Sequence, residues 1–199
     1  KEMADKNKII VLMSGTLHSS EVLYEIFGIE KPKIIEAETE NPGKIKILKT
    51  GNEMDCKYSN FSSGKLERKK YLEALDKCIE SAKKPILIHV NSFGDLPDEF
   101  EKEKFDLRNI IARESLMEAQ KKDKESLDIK RFKNGEIDIL FSTKCSRGVD
   151  FPGEECRSII FTKFPNPNVQ DAFWKILSRT NPQKYWSFYR DKARRELLQ

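Results

Sequence analysis

The sequence lacks several features that would each indicate a class of protein. No apolar run approaches the roughly 20 residues that a membrane-spanning helix needs, and no signal-peptide pattern opens the chain. These absences favour a cytoplasmic protein that has no membrane partner. The four cysteines are widely spaced and form no CxxC pair, and neither histidine has a metal-binding neighbour at helical spacing. We therefore expect reduced thiols and no metal site in this chain.

Catalytic motifs are also missing. The sequence has no GxxxxGK[ST] loop, the feature that grips nucleotide phosphates. Asp98 and Glu99 lie in an acidic helical segment and not at the end of an apolar strand, so they make a poor Mg²⁺-binding pair. No Ser/His/Asp or Cys/His set is suggested either. No catalytic site is complete within the chain, which argues against a stand-alone small-molecule enzyme.

Composition and charge are permissive rather than diagnostic. The chain has 199 residues, which fits one large α/β domain. Hydrophobic residues make up 38% of it and charged residues 35%, which allows a core beneath a charged surface. Lysine and arginine number 37 against 33 aspartate and glutamate residues, which gives a formal net charge of +4. That mild positive excess is compatible with a polyanionic partner.

The hydrophobic pattern predicts an α/β fold. Apolar runs rich in β-branched residues alternate with segments of helical period, as in parallel strands joined by helices. One doubly wound, mainly parallel sheet with helices on both faces accounts for nearly the whole chain, so we predict a single domain over residues 1–199. The predicted strands are 8–13, 44–49, 86–90, 110–112, 137–142 and 158–164, and the predicted helices are 19–27, 66–84, 96–104, 115–132, 168–177 and 182–198.

Three loops of the predicted sheet carry small and polar residues. They are residues 14–16, 91–94 and 143–153, and each follows a predicted strand. In open α/β sheets, ligands bind beyond the carboxyl ends of the strands. Glycines and hydroxyl residues there let backbone N–H groups approach a phosphate. The three loops are therefore candidate ligand-binding segments.

Each loop also has a structural alternative. Ser14 and Thr16 could merely cap the following helix, and residues 91–95 could be an ordinary turn with an N-cap. The third loop places a lysine, an arginine, a glycine and an acid on one connection, a mixture for which a purely structural loop has little need. Even there, Asp150 could simply pair with Arg147.

The C-terminal helical segment combines aromatic and basic residues. Trp186, Arg190 and Arg194 recur at helical spacing and fall along one face. Exposed aromatic rings stack on bases and arginines contact phosphates, so this face is a candidate DNA-binding surface. The alternative is that Trp186 and Tyr189 anchor the core and that the charges form a solvated face. Of the two aromatic residues, Tyr189 is the one we expect to be buried.

The three loops lie in segments that resemble a known helicase family. MSGTL (13–17), ILIHVNSF (86–93) and FSTKCSRGVDFPGEECRSIIFTKFP (141–165) are similar to successive segments of XPD-type helicases, the superfamily 2 group that includes bacterial DinG. The third segment is the most specific and resembles the family's motif V, and the fit is closest to archaeal members. The resemblance covers essentially the whole chain as the second RecA-like motor domain.

The resemblance implies an ATP-dependent DNA helicase that moves 5′ to 3′ along single-stranded DNA in nucleotide excision repair, associated with the nucleoid of an archaeal cell. ATP and Mg²⁺ would be shared with a first RecA-like domain. The nucleotide-binding residues implied here are Ser14, Gly15, Thr16, Gly148 and Asp150. The DNA-binding residues are Ser92, Phe93, Thr143, Lys144 and Arg147, beside Trp186, Arg190 and Arg194 of the C-terminal segment.

The chain departs from the family in two respects. The Walker motifs and the four cysteines of the family's iron–sulfur cluster belong to the first domain and its insertions, which this sequence does not contain. The arginine-bearing motif VI should begin at about Gln199, and Arg194 and Arg195 precede it. We therefore expect an isolated chain to be inactive as an ATPase and to work with the first RecA-like domain, single-stranded DNA and repair proteins. The alternative is a non-catalytic module that binds nucleic acid or repair proteins.

Overall fold

The computed structural model describes residues 6–7, 9–13, 18–35, 53–145 and 148–198. The chain divides into two compact units. Residues Ile47–Lys163 form the sheet unit, and Lys1–Lys46 together with Phe164–Gln199 form the helical unit. The expectation of one domain over residues 1–199 stays a prediction.

The described elements are helices and strands mixed along the chain, which agrees with the α/β class that the sequence pattern predicts. In chain order they are α1 (Ser20–Glu25), α2 (Tyr58–Ser62), α3 (Arg68–Ser81), β1 (Ile86–His89), α4 (Glu99–Lys104), α5 (Arg113–Lys122), α6 (Leu127–Lys133), β2 (Ile139–Ser142), β3 (Ser158–Phe161), α7 (Ala172–Thr180) and α8 (Pro182–Leu198). Short 3₁₀ turns at Phe93–Asp95 and Gly153–Glu155 follow β1 and precede β3.

The described strands form a parallel sheet in the order β2-β1-β3. Ile86 lies opposite Ile139 on one side and Ser158 on the other, and the register continues to His89 without a bulge. The crossover from β1 to β2 runs through α4, α5 and α6. The predicted α/β fold with parallel strands and flanking helices is therefore confirmed.

The core of the sheet unit lies on both faces of β1, because side chains alternate along a strand. Ile86 and Ile88 pack on one face in a cluster with Leu72 and Ile79 of α3. Leu87 packs on the other face in a cluster with residues of β2 and α6. Each fully buried Leu or Ile contributes about 1.5–3 kcal/mol, so this apolar sandwich is the main stabilising feature of the unit.

Two of the predicted strands are wrong. Residues 9–13 are not in a strand and are exposed, with Ile9 82% accessible. A strand needs a neighbour to satisfy its backbone groups, and no described strand pairs with this run. Residues 110–112 are too short to pair; Ile110 and Ala112 are buried as a connection into α5, of which Ala112 is the N-cap. Lys8 and the predicted strand at 44–49 lie outside the described residues.

The helix predicted over 115–132 is two helices. The Asp123 carboxylate accepts hydrogen bonds from the backbone N–H groups of Leu127 at 2.6 Å and Asp128 at 3.2 Å. These are orphan donors of the first turn of α6, so Asp123 ends one helix and supports the start of the next. Ser126 between them has a φ of 55°, in the left-handed region.

The helical unit is built around aromatic rings. Trp174 of α7 packs against Tyr185 and Phe188 of α8, with Val22 of α1 completing the cluster. The N-cap of α1 is Ser19, whose hydroxyl accepts a hydrogen bond from Val22 N at 3.3 Å. No helix within the described ranges is long and apolar enough to cross a membrane.

Candidate functional site

Two of the candidate loops begin at one edge of the sheet. Because β1, β2 and β3 are parallel, their carboxyl ends share this edge. Residues 90–92 leave β1, residues 143–145 leave β2, and residues 162–163 leave β3. We call this set of segments the carboxyl edge, which is where open α/β sheets bind ligands.

The turn after β1 is a capped structure. Ser92 is the N-cap of the 3₁₀ turn, and its hydroxyl accepts a hydrogen bond from Gly94 N at 3.3 Å. The Asp95 carboxylate in return accepts one from Ser92 N at 3.1 Å, which completes a capping box. The turn and N-cap that the sequence offers for this loop are therefore present, and the DNA-binding role of Ser92 and Phe93 stays a prediction. Ser92 is exposed, whereas Phe93 is half-buried and packs against the core.

Asp95 is the buried polar centre of the carboxyl edge, with only 2% of its surface accessible. Its carboxylate lies 2.5 Å from Lys163 Nζ and accepts a hydrogen bond from Thr162 Oγ1 at 3.1 Å. Asn91 N donates to the same Thr162 hydroxyl at 3.1 Å. A buried carboxylate requires partners of this kind, since desolvation of an unpaired charge costs several kcal/mol.

Aromatic rings surround the lysine of this network. Lys163 Nζ lies 5.0 Å from the ring centre of Phe61 and 5.5 Å from that of Tyr71, within the range of cation–π attraction. The Tyr71 hydroxyl donates to Thr162 O at 3.0 Å. Burial, followed by the nearby Asp95 charge, raises the pKa of Tyr71, so the phenol keeps its proton and remains a donor.

Sequence reasoning missed the network but had one signal for it. Ser92 and Asp95 have the Ser-x-x-Asp spacing of a capping box, which predicts the local turn. Nothing local predicts that Thr162 and Lys163 close around the same carboxylate, because they are more than sixty residues away in the chain.

The loop after β2 begins with one residue whose side chain is hydrogen-bonded and one whose side chain is exposed. The Thr143 hydroxyl donates to Gln120 Oε1 of α5 at 2.7 Å, and Thr143 is half-buried. Lys144 is exposed, and its backbone N–H donates to the buried Ser142 hydroxyl at 3.0 Å. Of these two predicted DNA-binding residues, Lys144 therefore has the more accessible side chain.

Of the predicted nucleotide-binding residues, Gly148 and Asp150 are described. Gly148 has a φ of 73°, which favours glycine, and both Gly148 and Asp150 are exposed. Among the residues described, no group of three or more His, Cys, Asp or Glu side chains could hold a metal ion. By themselves, these residues do not fit Mg²⁺-ATP. Ser14, Gly15, Thr16 and Arg147 lie outside the described residues, as does the proposed Arg147–Asp150 pair.

The predicted face of α8 is exposed in the helical unit. Trp186 is 55% accessible, and Arg190 and Arg194 are exposed with it. The alternative that Trp186 anchors the core is wrong, because its ring rests against Tyr185 and Tyr189 at the surface. Tyr189 is half-buried, as its hydroxyl donates to Pro167 O at 3.0 Å. An exposed indole beside guanidinium groups suits stacking on a base and contact with phosphate.

Comparison with known families identifies the class of protein. Residues 69–199 match the family "Helicase C-terminal domain". The chain belongs to this family, which makes it a helicase motor domain. Membership implies nucleic-acid binding and, for the full protein, the use of ATP and Mg²⁺. Searches of curated proteins and of solved structures found no match to the chain.

Proposed function

We propose that the chain is the second RecA-like motor domain of an archaeal-like, XPD-type DNA helicase that moves 5′ to 3′ along single-stranded DNA in nucleotide excision repair. Family membership supports the motor role, and the motif segments support the XPD-type assignment. The observation that carries the proposal is the topology of the sheet. Because the strands are parallel, two of those segments, 86–93 and 141–165, both contribute residues to the carboxyl edge.

Nucleic acid would meet the domain at exposed groups on each unit. On the sheet unit these are Ser92 and Lys144, and on the helical unit they are Trp186, Arg190 and Arg194. The lysine and arginines would neutralise phosphates, and the indole would stack on a base. None of these contacts depends on base identity, which suits a motor that must pass over any sequence.

ATP hydrolysis would require a second domain. The chain has no phosphate loop, and its described residues form no metal cluster. In the proposal the first RecA-like domain would hold the phosphates and Mg²⁺. The phosphates would supply the electrophile, and Mg²⁺ would neutralise its charge. In this chain, the resemblance implies nucleotide contacts from Gly148 and Asp150 and from Ser14, Gly15 and Thr16. An isolated chain should then bind DNA without hydrolysing ATP.

The proposal is tested by binding and hydrolysis assays on the chain itself. Anisotropy of a labelled oligothymidylate should show binding whose log K falls linearly with log salt concentration. ATP hydrolysis should stay at background with and without the oligonucleotide. ATP turnover at helicase-like rates, or no binding to single-stranded DNA at low salt, would contradict it.

A non-catalytic binding module is the second candidate, and the exposed Trp186–Arg194 face favours it equally. The two functions differ at Asp150, which is exposed on the β2–β3 connection, apart from the aromatic face in sequence. A pure binding module would not need this carboxylate, whereas a motor would use it to couple ATP to movement.

A further inference from the structure

Side-chain contacts tie the capped turn after β1 to the end of the neighbouring strand. Asp95 belongs to the turn, and its carboxylate contacts Thr162 and Lys163, the two residues that leave β3. Thr162 Oγ1 also accepts a hydrogen bond from Asn91 N, so each strand end holds the other. Movement of either end would break several charge-assisted or buried hydrogen bonds together.

A second clamp holds the turn from its outer side. The Arg68 guanidinium donates to Gly94 O at 3.0 Å and to Leu96 O at 2.8 Å. Arg68 is itself fixed by Glu101 through a bidentate pair with distances of 2.5 and 2.9 Å. The backbone of residues 92–96 is therefore set before any ligand arrives.

Stability alone does not account for the buried ion pair. Desolvating two charges costs about as much as their attraction returns, and apolar replacements are often as stable. What the network provides beyond stability is one defined geometry for the Ser92–Gly94 turn, in which Ser92 and Gly94 are exposed. Preorganised groups bind more tightly because less conformational freedom is lost on binding.

We propose that Asp95 is a positioning residue: held by Lys163 and Thr162, it presets the Ser92–Gly94 turn for contact with the nucleic-acid backbone. Asp95 is buried and acts through the turn. This inference rests on the proposed function, because it names how that function's DNA-binding edge is held in place.

The direction in which one substitution changes DNA affinity distinguishes a positioning role from a simple effect of charge. Asp95→Asn removes a negative charge, so electrostatics alone would tighten binding to a polyanion. Loss of the preset turn instead weakens it. We expect the Kd of the full chain for labelled oligothymidylate to rise about tenfold, with an unchanged salt slope because no phosphate contact is deleted.

Asp76→Asn is the matched control. The half-buried Asp76 carboxylate also fixes backbone in the sheet unit, accepting from Asn109 N at 2.7 Å and Asn109 Nδ2 at 3.1 Å. It lies on α3, outside the carboxyl edge. Both variants should lose stability in urea, but at equal folded fraction only Asp95→Asn should lose affinity.

Thr162→Val keeps the inference testable if Asp95→Asn does not fold. It changes no charge and nearly preserves shape, yet removes the hydroxyl between Asn91 N and Asp95, and it should weaken binding in the same direction. Wild-type affinity in a folded Asp95→Asn or Thr162→Val variant, or tighter binding, would overturn the positioning role while leaving the proposed function intact. Failure of the wild-type chain to bind would overturn both.

Discussion

The His18 imidazole contacts a carboxylate, a guanidinium and two aromatic rings. Its Nδ1 lies 2.6 Å from Asp191 Oδ2, and Arg195 Nη1 lies 2.5 Å from its Nε2. The rings of Phe27 and Phe188 flank it at 5.5 and 5.2 Å. A neutral imidazole fits these contacts, because Nδ1–H can donate to the carboxylate while Nε2 accepts from the guanidinium.

The pKa of His18 gives a pH prediction for stability. Burial lowers this pKa below 6.5, opposed by the Asp191 hydrogen bond and assisted by the Arg195 charge. The unfolded chain therefore binds the proton first as pH falls. The stabilisation is complete above about pH 6.5 and is lost as pH drops through the lower folded pKa.

Urea unfolding at about pH 7.5 and about pH 5.5 measures this effect. We expect the midpoint of the wild type to fall more between the two pH values than that of His18→Gln, which cannot titrate there. Carboxylates common to both proteins cancel in the comparison. An equal fall in both proteins would show that folding does not lower the pKa of His18.

Helix α8 has one buried side and one exposed side. Tyr185, Phe188 and Ala193 are buried, whereas Trp186, Arg190 and Arg194 are exposed. The buried side fixes the helix on its aromatic cluster, so the exposed side can be altered with little cost to folding.

Substitutions on this face test DNA contact. Trp186→Ala should raise the Kd for single-stranded DNA by about 5- to 150-fold, since one stacked base is worth about 1–3 kcal/mol. Arg190→Glu should weaken binding and reduce the salt slope by about 1. Lys130→Glu, the same charge change on exposed α6, is the control. Equal effects of Arg190→Glu and Lys130→Glu would mean that only net charge matters.

The elements also show what a sequence can reveal. Strands β1, β2 and β3 were predictable because short apolar β-branched runs bounded by turns are typical of buried parallel strands. The run at 9–13 has the same composition but no described partner, and pairing is not a local property. The break at Asp123 was missed because helical periodicity continues across it, while a side-chain cap decides the outcome.

The candidate site also has features that the sequence could predict and features that it could not. The location of Ser92 and Lys144 at the carboxyl edge was predictable, because loops after parallel strands meet at one edge. Asp95 was not, since its role depends on Thr162 and Lys163, which only folding brings to it. Exposure of Trp186 was open from the pattern alone and required the packing of Tyr185 to be known.

For the whole molecule, we propose a motor domain that works together with a second, phosphate-binding domain. Membership in the helicase C-terminal domain family and a parallel sheet with motif loops at one edge define the class. We propose that another domain binds the phosphates of ATP, since this sequence has no phosphate loop. The central claim is that this chain couples ATP to DNA and does more than bind DNA.

Strand displacement by a helicase that carries this domain together with its phosphate-binding domain tests that claim most directly. Asp150→Ala should lower ATP-dependent unwinding by about tenfold or more, equivalent to about 1.4 kcal/mol, while affinity for single-stranded DNA stays within about twofold. Glu125→Ala, which removes another exposed carboxylate of the sheet unit, should leave both unchanged. Full unwinding activity in Asp150→Ala would contradict the motor role and favour a binding module.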